Sequence, residues 1–170
     1  DSDQLTYTIL YSADAGETWQ AVATNLEEMN YTVDLQELPG SNSSLFSVIA
    51  TDGVNTGKDE SNAVFYVPNK VPQAQIISPG DNSSFSDMQT IVLVGEAFDR
   101  EDGYLDDKSV QWSSDKQGVL GFNSSISATE LMPGDHTITL TAKDKNGAVT
   151  NASIRVHITQ VAPVADAGPD

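Results

Sequence analysis

Six carboxylates fall within residues 97–115, AFDREDGYLDDKSVQWSSD. Asp99, Glu101 and Asp102 set short acidic side chains within one turn, and Gly103 permits a sharp bend behind them. Oxygen donors of this kind suit a hard cation, and calcium (Ca2+) is the candidate cofactor. Asp144, which opens a later loop, would close the cage. The competing reading is a hydrated loop in an acidic protein, since no EF-hand spacing is present. Asp1, Asp3 and Asp52 form a sparser acidic set in the first half of the chain, with the same candidate role.

Other chemistries are poorly supplied. There is no cysteine and there are only two histidines, His136 and His157, so a zinc site is not expected. Both histidines alternate with apolar residues, which predicts a solvated sheet face. Serine and aspartate are plentiful, but no Gly-x-Ser-x-Gly elbow, phosphate loop or dinucleotide fingerprint occurs. A carboxylate pair for glycoside hydrolysis is compatible with composition. The acids fall in loops of small modules without an evident cleft, so no catalytic residue is assigned. Trp112 is expected in a core; Trp19, after a hairpin turn, is either a sheet-packing residue or a platform for stacking on a ligand such as a glycan.

The net charge of −17 over 170 residues disfavours nucleic acid and anionic membrane surfaces as partners. No run of 18 apolar residues exists, so direct membrane insertion is not expected. Asp1 reads as a cut within a longer protein, and the absence of cysteine leans towards a bacterial or archaeal source. Asn-X-Ser/Thr triplets at Asn30, Asn42, Asn82, Asn123 and Asn151 are candidate glycosylation sites and point outside the cell, to a secreted or cell-surface location.

Alternation of apolar and polar residues dominates, and helical periodicity is absent. Strands are predicted over 5–11, 19–23, 31–33, 46–52 and 63–67. After a proline-flanked linker they resume over 75–77, 91–97, 110–113, 125–131, 136–142 and 149–158. The halves echo one another. Glu37-Leu38-Pro39-Gly40 matches Glu130-Leu131-Met132-Pro133-Gly134, Ala50-Thr51-Asp52 matches Ala142-Lys143-Asp144, and Asn62-Ala63 matches Asn151-Ala152. These pairs lie roughly 90 residues apart, the size of one seven-stranded sandwich.

The segments YTILYSADAGETW, LPG and SLFSVIATDG resemble the later part of a fibronectin type III-like domain, with Ser44 where that family usually has tyrosine. The segments ISPGDNSSF, AFDREDG, WSSDKQGVLG and LMPGDHTITLTAKDKNG resemble prokaryotic immunoglobulin-like or PKD-type repeats. Trp112-Ser113-Ser114-Asp115 replaces the usual PKD tryptophan motif. The tail APVADAGPD is similar to the start of a further PKD-like repeat.

The expected fold is all-β: two tandem immunoglobulin-like antiparallel β-sandwiches, the first lacking its N-terminal strands. Domain boundaries are 1–68 for the fibronectin type III-like part, 69–73 for a linker, 74–160 for the immunoglobulin-like part and 161–170 for a second linker and the further repeat. The resemblance implies a non-enzymatic spacer or adhesive module, with neighbouring domains of the same chain as partners. A module binding surface polysaccharide or another protein beside a secreted hydrolase is the alternative. In such a sandwich the B–C and F–G loops share one pole. The acids of 98–109 and Asp144 are therefore expected to meet there, on the side facing the first domain.

Overall fold

The computed structural model describes residues 4–162. The chain divides into two compact units, 1–70 and 71–170. Asp1, Asp3 and residues 163–170 of the tail lie outside the described residues.

In the first unit, β1 (Thr6–Ser12), β2 (Gln20–Leu26), β3 (Ser41–Thr51), β4 (Thr56–Glu60) and β5 (Phe65–Val67) form one sheet in the order β2-β1-β3-β4, with β5 also on β3. No second sheet faces it among the described residues. Residues 31–33 form no strand, and Val33 packs on the small core instead. The polar stretch Thr56–Glu60 is a strand that alternation misses, because every residue in it is exposed. It runs along β3 until Ser61, whose hydroxyl and amide both bond to the backbone of Phe46. Beyond this break β5 resumes pairing with β3 at Ser44 and Ser41.

The core here is Tyr11, Leu38 and Val67, with Phe46 and Phe65 stacked at 5.0 Å and both packed on the Tyr11 ring. The Tyr11 hydroxyl donates to Pro39 O at 2.6 Å and lies 2.8 Å from Ser44 Oγ. A tyrosine from β1 thus holds the turn before β3, over the small residue that replaces the expected tyrosine.

The second unit has β6 (Gln73–Ser78), β7 (Ser83–Ser86), β8 (Ile91–Asp99), β9 (Gly103–Tyr104), β10 (Val110–Ser114), β11 (Gly118–Phe122), β12 (Ser125–Ala128), β13 (Gly134–Lys143) and β14 (Val149–Thr159). One sheet runs β11-β10-β13-β14-β7 and the other β12-β8-β6, with β9 on β8. β7 joins β14 in parallel, and the other pairs are antiparallel. That is the strand order A′-G-F-C-C′ against A-B-E, so the second unit is an immunoglobulin-like sandwich.

Its core forms because the buried residues of β8, β10 and β13 follow period two. Trp112 has no exposed surface, sits opposite Leu140 in the β10–β13 register, and donates its indole N–H to Asn123 O at 3.0 Å. Gly95 on β8 lets this packing close: a Cβ there would lie 2.6 Å from Leu140 Cδ2 and 3.0 Å from Trp112 Cζ2. Trp112→Ala should cost about 3–5 kcal/mol, the usual loss for emptying such a site. Denaturant unfolding followed by near-ultraviolet circular dichroism checks this, and an unchanged midpoint would contradict the packing.

Candidate functional site

The acids of the second unit are positioned by the end of β8. Its odd-numbered residues from Ile91 to Ala97 face the core or the Trp112 contact, and Asp99 continues the same parity. A carboxylate is therefore placed on the inward side, at 1% exposure. Residues 100–102 turn, Gly103 takes φ +77, and β9 pairs back with Asp99 opposite Gly103. The loop expected over 98–109 is thus mostly a tight hairpin. Asp99 Oδ1 accepts the main-chain N–H groups of Glu101 and Asp102, each at 2.9 Å, which fixes the turn. Asp99 Oδ2 is buried and has no hydrogen-bond partner. Burial pushes the Asp99 carboxyl above its ordinary range; the two N–H bonds oppose this, and the neighbouring Glu101 carboxyl reinforces it. Asp106 and Asp107 lead into a separate 3-10 turn and are exposed.

The B–C and F–G loops meet, through a lysine. Asp102 Oδ2 accepts the main-chain N–H of Lys145 at 2.9 Å, and Lys145 Nζ lies 2.9 Å from Asp102 Oδ1. These bonds, the main-chain one first, hold the Asp102 carboxyl below its ordinary range. Asp144 is buried at 4% exposure, but its Oδ1 accepts the Ala148 N–H at 2.7 Å within the F–G hairpin. Among the described residues no group of three or more acids or histidines is arranged to hold a metal ion. The cage expected from Asp99, Glu101, Asp102 and Asp144 is not assembled in this geometry, because Asp102 is engaged by Lys145 and Asp144 by its own turn.

Asp52 repeats the role of Asp144 in the first unit. Its Oδ1 accepts the N–H groups of Val54 and Asn55 in the β3–β4 hairpin, and the Asn55 bond leads in bringing its pKa from 3.8 to about 2. Asp14 likewise falls from 3.8 to about 2, chiefly through the Thr18 hydroxyl and then the Thr18 N–H.

The remaining candidates resolve simply. His136 is buried, not on a solvated face: its Nε2 donates to Met132 O at 2.6 Å, leaving Nδ1 to accept from Ser114 Oγ at 2.8 Å. Ser114 is 4% exposed, so this Ser–His contact is closed to a substrate. His157 is half exposed and pairs with Asp135 at 2.6 Å beside a cavity of about 440 Å³. Trp19 is partly buried, with Lys58 Nζ 5.3 Å from its ring centre. A feature the sequence reading missed lies on the outer face of the β6–β8 sheet. There Phe98 and Tyr104 meet edge to face at 5.4 Å, beside Gln73, Gln75 and Glu96, along a groove of about 320 Å³. The even parity of β8 could have signalled it. Asn30, Asn42, Asn82, Asn123 and Asn151 are all exposed.

No family model matches the chain, and no curated protein matches its sequence. Among solved structures it is similar to the fibronectin(III)-like modules of Clostridium thermocellum CbhA. The identity is 18% over 94% of this chain and 82% of that one, with a TM-score of 0.44. It is also similar to extracellular cadherin domains 1–5 of protocadherin gamma B2, at 14% identity over 93% of this chain and 32% of that one, TM-score 0.37. Domains EC3–6 of protocadherin gammaB7 match at 18% identity over 95% of this chain and 41% of that one, TM-score 0.36. The immunoglobulin-like assignment of the second unit stands on its own strand order. No helix among the described residues is long and apolar enough to cross a membrane.

Because the folded pKa values of Asp14 and Asp52 lie below the unfolded value, their contribution is complete above 3.8 and is lost as pH falls through about 2. Replacing either with asparagine should flatten the acid limb of stability in that window, so that the variant falls below wild type at neutral pH, where the contribution is complete, and approaches it in acid. Thermal melts of wild type and variants between pH 2 and 7 test this; parallel acid limbs would contradict it.

Proposed function

We propose that the chain is a non-catalytic structural or adhesive spacer of a secreted or cell-surface protein, with calcium stiffening the loops at one pole of the second unit. The observation that carries this reading is how the chain uses its reactive side chains. Its buried histidine is tied into the sheet. Most of its described aspartates accept main-chain N–H groups. Neither arrangement offers a solvent-reaching nucleophile with a positioned base. Five exposed sequon asparagines and a strongly acidic surface suit an exterior, glycan-bearing module.

A second reading, a carbohydrate-binding accessory module, is favoured by the groove at Tyr104. That ring is 73% exposed, and two amides and a carboxylate flank it. This is the mixture of stacking surface and hydrogen-bonding groups that sugars need. Trp19 is less suited, since Lys58 already approaches its ring.

The spacer reading expects no turnover of polysaccharide or peptide substrates and no retention on a glycan array. Array binding abolished by Tyr104→Ala and kept by Trp19→Ala would establish the binding module instead. Hydrolysis by the purified chain would overturn both readings.

A further inference from the structure

The outer face of the β6–β8 sheet is built by register. Glu96 and Phe98 share the even parity of β8, which points away from the Trp112 core. Gln73 and Tyr104 flank Phe98 on its two sides, and Gln75 stands opposite Glu96. Two rows result: Gln73, Phe98 and Tyr104 in one, Gln75 and Glu96 in the next. A strand spacing of about 4.8 Å and a same-face repeat of roughly 7 Å bring these groups together around the groove of about 320 Å³. Among the described residues no hydrogen bond engages the Glu96 carboxylate, the two glutamine amides or the Tyr104 hydroxyl. Most aspartates of the chain, by contrast, are taken up by main-chain N–H groups. The groove therefore presents a set of polar groups that the fold itself does not use.

We propose that this groove binds a single soluble glycan chain without acidic groups, stacking a sugar ring on Tyr104 and hydrogen-bonding its hydroxyls to Gln73, Gln75 and Glu96. This rests on the carbohydrate-binding reading and names its ligand class. A sugar ring offers an apolar C–H face and an edge of hydroxyls. An aromatic face takes the first, and amides that both donate and accept, beside a carboxylate that accepts, take the second. The rings decide the physical form of the ligand. Phe98 braces Tyr104 at 72°, so the two cannot lie together on one flat surface. A crystalline polysaccharide face is thus excluded, and a separate chain that can follow a bent groove is admitted. The volume is near the low end of ligand sites, which suits a short stretch of such a chain. Charge decides the rest. Glu96 lies in the groove and the whole chain carries −17, so an acidic glycan meets like charge at close range and in the surrounding field. A flat apolar partner is a poor match as well, because Glu96 and the two glutamines border the rings.

Titration calorimetry of the 170-residue chain with cellohexaose, mannohexaose and a galacturonic acid hexamer, beside a pull-down on crystalline cellulose, tests the idea. A neutral hexamer should bind; the uronate hexamer and the crystalline surface should not. Tyr104→Ala should weaken neutral binding about two- to tenfold, the worth of one aromatic contact. Tyr104→Phe should keep it, because the ring carries the stacking. Both variants should melt with wild type, since that ring is mostly in water. Should Tyr104→Ala fail to fold, Gln75→Ala serves in its place, with weakened binding expected. Uronate binding as tight as neutral binding, or Tyr104-dependent retention on crystalline cellulose, would overturn the ligand class and keep the carbohydrate-binding reading. Neutral binding unaltered in Tyr104→Ala would overturn the groove as the site. No Tyr104-dependent binding to these probes or to any sugar of a glycan array would overturn both, leaving the spacer role standing.

Discussion

The bond on which most of this structure depends is that between an aspartate oxygen and a main-chain N–H at the end of a strand. Antiparallel strands leave their last N–H groups without partners where the chain turns, and such groups cost free energy if left bare. Asp34, Asp52, Asp81, Asp87, Asp99, Asp102, Asp115 and Asp144 each accept one or more main-chain N–H groups, most of them in turns and two, Thr137 and Arg155, within strands. Several bonds join segments far apart in sequence. Asp81 takes the Arg155 N–H and Asp87 the Val161 N–H, both across 74 residues, and so fasten the edge strand β7 to β14 at both ends. An ionised acceptor makes a stronger bond than a neutral one, and a short side chain spends little conformational entropy in making it. The abundance of acid is therefore in large part a way of finishing β-structure.

This reframes the charge of −17. With only eight lysines and arginines against 25 acids, ion pairing cannot neutralise the surface. Lys58–Glu60 and Lys145–Asp102 are ion pairs among the described residues, with lysine side chains about half and mostly exposed. Main-chain N–H groups carry partial positive charge at every turn, and they do the work that cations would do elsewhere. Asp99 marks where that supply runs out. One of its oxygens is saturated by the backbone, and the other faces another carboxylate.

How much of this was legible in the sequence varies with burial. The second unit was well signalled, because β8, β10 and β13 bury one face and so alternate. Trp112 was recognisable as core on the same ground. Strands lying at edges were not legible. Thr56–Glu60 is exposed throughout, and Ser83–Ser86 pairs in parallel at a sheet margin, so neither carries a hydrophobic pattern. His136 shares the parity of Ile138, Leu140 and Ala142, so period two places it on the buried face of β13 and not on a solvated one, where Ser114 and Met132 satisfy it. The meeting of the B–C and F–G loops followed from strand order. That Lys145, and not Asp144, would make the contact did not, because sequence shows which loops converge but not which way each side chain turns.

Asp52 and Asp144 show how the same local device changes with its surroundings. Both follow a long central strand, and both use Oδ1 to close the hairpin behind it. Asp52 belongs to a sheet with no facing layer among the described residues. Water screens its charge, and its hydrogen bonds dominate its proton affinity. Asp144 ends a strand packed under a second sheet and is nearly excluded from water. Adding the second layer thus converts a surface turn into part of a buried, charged pole. Asp99, from the opposing sheet, arrives at the pole where the F–G loop delivers Lys145. A sandwich concentrates charge at its loop ends because the two sheets terminate together, whereas a lone sheet leaves the same residues apart. The ion chemistry proposed for the second unit is in this sense a consequence of closing two sheets over one tryptophan.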